Sequence, residues 1–150
     1  HRDRQTRLQI LSDSHAGSFA VISCVIVILA KTLLFSELIT HSINPSFVPV
    51  YSRLGMALLM NNLPFAKSDG LAVMLGSSRR KSDNIFFAII MILLCVVSPK
   101  ILASMFVICI IFWRHICMKI FGGITGDLLG AFVEGSEVIM IIGMVINECM

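Results

Sequence analysis

Charge is the scarcest property of this sequence. Only 14% of its 150 residues are Asp, Glu, Lys or Arg, against about 25% in an ordinary soluble domain. A water-exposed globule of this size is therefore excluded. Twelve basic and nine acidic residues leave a formal charge of +3, too little and too dispersed for a nucleic-acid surface, and no basic patch is interleaved with aromatics. The five cysteines, at 24, 95, 109, 117 and 149, include no Cys-x-x-Cys pair, so neither a disulfide framework nor a zinc site follows. His1, His15, His41 and His115 are equally scattered, and no His-Glu-x-x-His run exists. No glycine run ends in Lys-Ser or Lys-Thr, which excludes a Walker loop.

What the sequence has instead is apolar length: 57% of it is hydrophobic. A membrane-crossing helix takes about 20 apolar residues, and the runs predict an all-α polytopic bundle of about five transmembrane helices. A short surface helix is expected within residues 1–17, ended by Ser12-Asp13-Ser14. The first span covers Ser18 to about Ile39, interrupted by Lys31 deep inside it, which calls for a charged partner or a ligand. His41–Pro49 reads as a turn, and Phe47–Leu63 as a shorter second span in which Gly55 permits close helix packing. Asn61–Asp83 is the longest polar connection, with a short interfacial helix expected at Leu71–Leu75. Asn84–Ser98 and Ile101–Trp113 form a helical hairpin about Pro99-Lys100; a single helix kinked at Pro99 is the competing reading. The last span runs from Leu128 to Ile146.

Basic residues orient this arrangement. With the N-terminal stretch inside, Arg2, Arg4, Arg7, Lys67, Arg79, Arg80, Lys81, Arg114 and Lys119 are cytoplasmic, and only Lys100 lies outside. Asp13, Lys67-Asp69-Gly70 and Gly122–Asp127 then reach one inner surface, where a polar pocket is expected.

The most informative stretch is Phe121-Gly122-Gly123-Ile124-Thr125-Gly126-Asp127-Leu128-Leu129-Gly130-Ala131, followed by Glu134 and Glu137. At about 100° per residue the three carboxylates share one side of a helix, in sequence apolar enough that each must face a cavity, a bundle interior or a partner. In one reading Asp13, Asp127, Glu134 and Glu137 hold a hard divalent cation while Lys31, Arg53 and Lys67 receive an anion. Carboxylate and phosphate oxygens together make the usual magnesium environment. Gly123, Thr125 and Gly126 then let backbone approach a substrate. In the plainer reading Asp127 caps the helix and the glutamates bond to neighbouring helices. A transporter using the intramembrane charges is the alternative function, and an assembly subunit using them only for helix contacts is a third.

The same residues resemble the cobalamin synthase family, bacterial membrane enzymes that are adenosylcobinamide-GDP ribazoletransferases. Gly122–Ala131 with Glu134 and Glu137 is similar to the family's Gly-Gly-x-Thr-Gly-Asp-x-Leu-Gly-Ala signature and its following acidic pair. Ile10-Leu11-Ser12-Asp13-Ser14 with Gly17 resembles its Ile-Met-Lys/Arg-Asp-Ser-Arg-x-Gly stretch. Lys31 falls at its intramembrane lysine, Ser52-Arg53 at its Ser-Arg pair, and Leu63–Leu71 at its Leu-Pro-Tyr-Ala-Arg-x-x-Gly-Leu stretch. The resemblance implies joining of alpha-ribazole or its 5'-phosphate to adenosylcobinamide-GDP with release of GMP. It implies a magnesium requirement, a phosphotransferase class and a multi-pass place in the bacterial inner membrane with a cytoplasmic active face. Asp13 and Asp127 are then the catalytic candidates, and the partners are those two substrates and the lipid bilayer, with homo-oligomerisation left open. The family's earlier Asp-Gly-x-x-Asp-x-x-x-Asp-Gly run is not in these 150 residues, so residues 1–150 are expected to be the C-terminal membrane portion of a longer enzyme. His15 and Lys67 stand where the family carries arginine; lysine keeps the charge without the guanidinium fork.

Overall fold

In a computed structural model of the chain, describing residues 3–13, 15, 17–77, 79–80 and 82–149, every apolar run folds as a helix. Apolar residues on all sides leave a helix as the arrangement that satisfies the backbone internally. Helix α1 covers Arg4–Ser12, capped by the Asp3 carboxylate; α2 covers Ser18–Thr40 and α3 Phe47–Asn62. Pro49 lies in the first turn of α3, where its missing N–H costs no helical bond. Helix α4 is Leu71–Gly76, α5 Asp83–Val97, α6 Lys100–Ile116 and α7 Gly126–Cys149. Ser98 is extended ahead of Pro99 (φ −93°, ψ 162°), the conformation a following proline enforces, and the chain turns there as a hairpin rather than a kinked helix.

Two features depart from the sequence reading. Helix α6 does not stop near Trp113 but continues through a π-helical turn, Cys117–Phe121, closed by Gly122 at φ 68°, a left-handed value that favours glycine. The second concerns span number. Three helical stretches, Ser18–Thr40, Lys100–Phe121 and Gly126–Asn147, are long and apolar enough to cross a membrane. Helices α3 and α5 have 16 and 15 residues, about 24 and 22 Å of rise against about 30 Å of hydrocarbon.

The core is divided along the bundle. One cluster joins Leu38 of α2, Val48, Tyr51 and Leu54 of α3, Leu102 and Phe106 of α6, and Met140, Ile141 and Met144 of α7. The other joins Leu59 and Leu63, Cys109 and Cys117, Ile124, and Leu128, Leu129, Phe132 and Val133. The start of α3 thus meets the end of α7, and the end of α3 meets its start. Gly55 marks the crossing, since a Cβ there would lie 2.6 Å from the Phe132 ring. Buried Cys109 and Cys117 serve as small hydrophobes. Leu63–Ala66 and Ile124 pair as two short extended segments, with Ile124 N–H donating to Pro64 O at 2.9 Å and Ala66 N–H to Ile124 O at 2.9 Å. Helix α1 lies against the same end: Arg4 donates to Gly122 O and Arg7 to Ile120 O, each at 3.3 Å. This end gathers Arg4, Arg7, Lys67, Arg79 and Arg80; Arg2 and Lys81, counted with them above, lie outside the described residues.

Candidate functional site

A cavity of about 300 Å³ opens at the basic end, lined by Lys67, Asp69, Gly70, Ala72, Val73, Ile124, Thr125, Gly126 and Asp127. Ile124, one of its lining residues, is fixed by the pairing with Leu63–Ala66. That pairing requires Gly123, where a Cβ would lie 2.6 Å from Pro64 O and 2.8 Å from Ala66 N. Gly123 therefore serves backbone packing, whereas Gly126 faces open space, with nothing within 4 Å of a Cβ built there. Thr125 Oγ1 accepts the Leu128 N–H at 3.3 Å and so performs the N-capping that the plainer reading gave to Asp127. Asp127 is left exposed in the first turn of α7, a position that favours negative charge.

Lys67 is held at the rim by donating to Ser12 Oγ at 2.7 Å, which brings the end of α1 to the cavity. Asp13 follows directly as the C-terminal residue of that turn. It does not line the cavity: its carboxylate is exposed and accepts the His15 N–H and ring nitrogen at 2.9 Å each. These bonds, the backbone one foremost, hold the Asp13 carboxyl below its ordinary pKa. Asp13 and Asp127 thus lie at the same end of the bundle, as expected. Asp69, which lines the cavity, was placed at the inner surface with Lys67 and Gly70 by the sequence but was given no ligand or catalytic role.

The other expected ligands gather elsewhere. Lys31 Nζ donates to Glu134 Oε2 at 2.5 Å and to Glu137 Oε2 at 2.6 Å. Glu137 Oε1 accepts from Ser52 Oγ at 2.7 Å and from the Arg53 guanidinium. The quartet is neutral in sum and its central carboxylate, 9% exposed, has three donors. Glu134 and Glu137 lie seven and ten positions after Asp127, about 10 and 15 Å along the helix. The expected set of Asp13, Asp127, Glu134 and Glu137 around one cation is therefore divided, and among the described residues no group of three or more His, Cys, Asp or Glu side chains is close enough to hold a metal. Glu134 and Glu137 are neutralised by Lys31 and Arg53, so both basic groups have carboxylate partners within the bundle. For the glutamates the plainer reading, contacts to neighbouring helices, describes what is observed.

Chemically, the cavity offers two carboxylates, a hydroxyl and a lysine at a water-accessible helix N-terminus. Magnesium is commonly held by one or two carboxylates with substrate phosphates supplying further oxygens, and Asp69 and Asp127 fit that donor set. The volume suits a phosphate-bearing portion of a ligand.

The chain is 33% identical over 153 residues to the adenosylcobinamide-GDP ribazoletransferase of Geobacillus kaustophilus (strain HTA426), covering 93% of this chain and 58% of that protein. It is 30% identical over 150 residues to the protein of the same description from Acinetobacter baumannii (strain ACICU), covering 97% and 61%, and 28% identical to that from Desulfitobacterium hafniense (strain Y51), covering 95% and 60%. The chain thus spans about three fifths of the length of these relatives. No solved structure matches it. With Ile124–Asp127 of the signature lining a polar cavity, and with the model of the cobalamin-5-phosphate synthase family, CobS, matching residues 1–145, the chain belongs to that family.

Proposed function

We propose that this chain carries part of the active site of an adenosylcobinamide-GDP ribazoletransferase, with the cavity around Asp127 receiving the phosphate-bearing part of the substrates. The observation that carries the reading is the convergence of Lys67, Asp69, Thr125, Gly126 and Asp127 on one opening in a chain of the CobS family. A hydroxyl of alpha-ribazole or its 5'-phosphate attacks the phosphorus that bears the cobinamide oxygen. The new P–O bond forms as the bond to the GMP oxygen breaks, GMP leaves with the electron pair, and the hydroxyl proton passes to solvent or to a base. Lys67 offsets phosphate charge at the rim, and the open backbone at Gly126 admits close approach. Asp127, with Asp69, would hold magnesium, which when bound withdraws charge from phosphate oxygens; Asp13 orders the adjoining turn through His15.

We further assign α3 and α5 as tilted or thinned-membrane crossings that complete five passes, with the basic end cytoplasmic in a bacterial inner membrane. The neutral Lys31–Glu134–Glu137–Arg53 quartet is then the charge balance that lets α2, α3 and α7 meet inside the bilayer.

The test is direct measurement of GMP and the joined corrinoid product by the full-length protein in nanodiscs, with magnesium varied. Asp127→Asn is expected to lose magnesium-dependent product formation while inserting normally. Corrinoid flux into sealed vesicles without product, or unchanged turnover of Asp127→Asn at saturating magnesium, would overturn the assignment.

A further inference from the structure

A second and larger cavity, about 540 Å³, lies at the same end, lined by Asn61, Asn62, Leu63, Pro64, Arg79, Arg80 and Asn84. None of these residues belongs to the Asp127 cavity.

The polar lining is built rather than incidental. Asn84 Oδ1 accepts from Asn61 Nδ2 at 2.6 Å and from Asn62 Nδ2 at 3.0 Å, and Asn84 Nδ2 donates to Asn62 Oδ1 at 3.0 Å. This interlock fixes the end of α3 to the start of α5. Arg79 stands on the Phe65 ring, its Cζ 4.6 Å from the centroid, and donates through one terminal nitrogen to Met60 O at 3.0 Å and Leu63 O at 2.8 Å. Its other terminal nitrogen is not used in those bonds. The Arg80 backbone is tied on both sides: its N–H donates to Asp83 Oδ2 at 2.9 Å, and its carbonyl accepts from Asn61 Nδ2 at 3.3 Å and from the Asp83 N–H at 3.1 Å. The Arg80 guanidinium has no hydrogen-bond partner among the described residues. Asp83, in the same turn, is engaged as an acceptor for the Arg80 backbone N–H.

The Arg79 guanidinium, held by two carbonyls and the Phe65 ring, and the Arg80 guanidinium, on a backbone tied at both its N–H and its carbonyl, stand beside hydrogen-bonded carboxamides and are complementary to a tetrahedral oxyanion. Planar guanidinium pairs phosphate oxygens with two hydrogen bonds where ammonium supplies a point charge. Basic pockets between helix ends at a membrane surface suit phosphate-bearing headgroups. We propose that the Arg79–Arg80–Asn84 cavity is a phosphate site, filled either by an anionic lipid headgroup or by a soluble phosphate ester. It does not rest on the reaction assigned to Asp127.

The experiment uses the full-length protein, wild type, Arg80→Gln, Arg80→Lys and Asn84→Ala, in phosphatidylcholine nanodiscs with and without phosphatidylglycerol. Native mass spectrometry reads retained phosphatidylglycerol, and calorimetry in the neutral discs reads inorganic phosphate. Wild type is expected to retain the anionic lipid or to bind phosphate, with at least a fivefold loss in Arg80→Gln and partial rescue in Arg80→Lys. Retention that phosphate does not displace assigns the headgroup; phosphate binding in neutral discs assigns a soluble ester. Arg80 is exposed at the rim, so its variants test the site at unchanged melting temperature, and Asn84→Ala tests it from the carboxamide side. Equal retention in wild type and both loss variants, with phosphate bound by none, overturns the site.

Discussion

Asp127 and Glu137 are carboxylates on the same helix, ten positions apart, and their surroundings are opposite. Asp127 stands at the N-terminus of α7, exposed beside a cavity. Glu137 is buried and bonded to Ser52, Lys31 and Arg53. The difference teaches that helical periodicity assigns a face but not a role. An acid near a helix N-terminus retains its charge in water at little expense, whereas one in the apolar middle persists only with its charge matched. The mid-helix site is assembled to be complete; the end site is assembled to be open.

The comparison breaks most visibly through activity at one end. Asp127→Asn is expected to lower turnover by about a thousandfold, the upper range for removing one electrostatic group at a transition state, with thermal unfolding in detergent unchanged; an unfolding midpoint that falls with activity would make Asp127 structural. Glu137→Gln should do the reverse first. Leaving one cation stranded beside a neutral amide, since Lys31 keeps Glu134, is expected to cost about 3 kcal/mol, the low end for breaking a buried pair because the Arg53 side chain is half-exposed. Equilibrium unfolding of wild type and variant reads this, and rescue by Arg53→Met in the same chain would show that the stranded charge is the cause.

Gly123→Ala sharpens the boundary between the two regions. Its Cβ meets backbone rather than a movable side chain, so the Leu63–Ala66 pairing must shift, at about 2 kcal/mol. Hydrogen exchange at the Ile124 and Ala66 amides should rise while the quartet is undisturbed. The smallest effect belongs to Glu134→Gln. Its carboxylate is 54% exposed, so its pair with Lys31 is expected to contribute under about 1 kcal/mol, measured as the coupling in a double-mutant cycle. A coupling as large as that of Lys31 with Glu137 would mean that the quartet shares its charge evenly.

Helices were legible where apolar length alone decides. The Pro99 hairpin, the Ser18 start of α2 and the Phe47 start of α3 follow from breakers and runs that act locally. The π-helical turn at Cys117–Phe121 was not legible, because it accommodates where α6 must deliver Gly122 to Arg4 and Gly123 to Pro64. Nor was the Asn61–Asn62–Asn84 interlock, whose members come from two helices and resemble ordinary loop polarity in sequence. The site was half legible. Lys67 and the Ile124–Asp127 part of the signature line one cavity, while the grouping of all four carboxylates did not survive packing.

The sequence by itself determined an all-helical, lipid-compatible chain, the basic end, and the family to which the signature belongs, since hydropathy and a contiguous motif are local properties. Tertiary structure alone decided which acids are free. The cations that neutralise Glu137 come from positions 106 and 84 residues away, and a carboxylate's character depends on charges within about 4–6 Å, a distance that chain order does not encode.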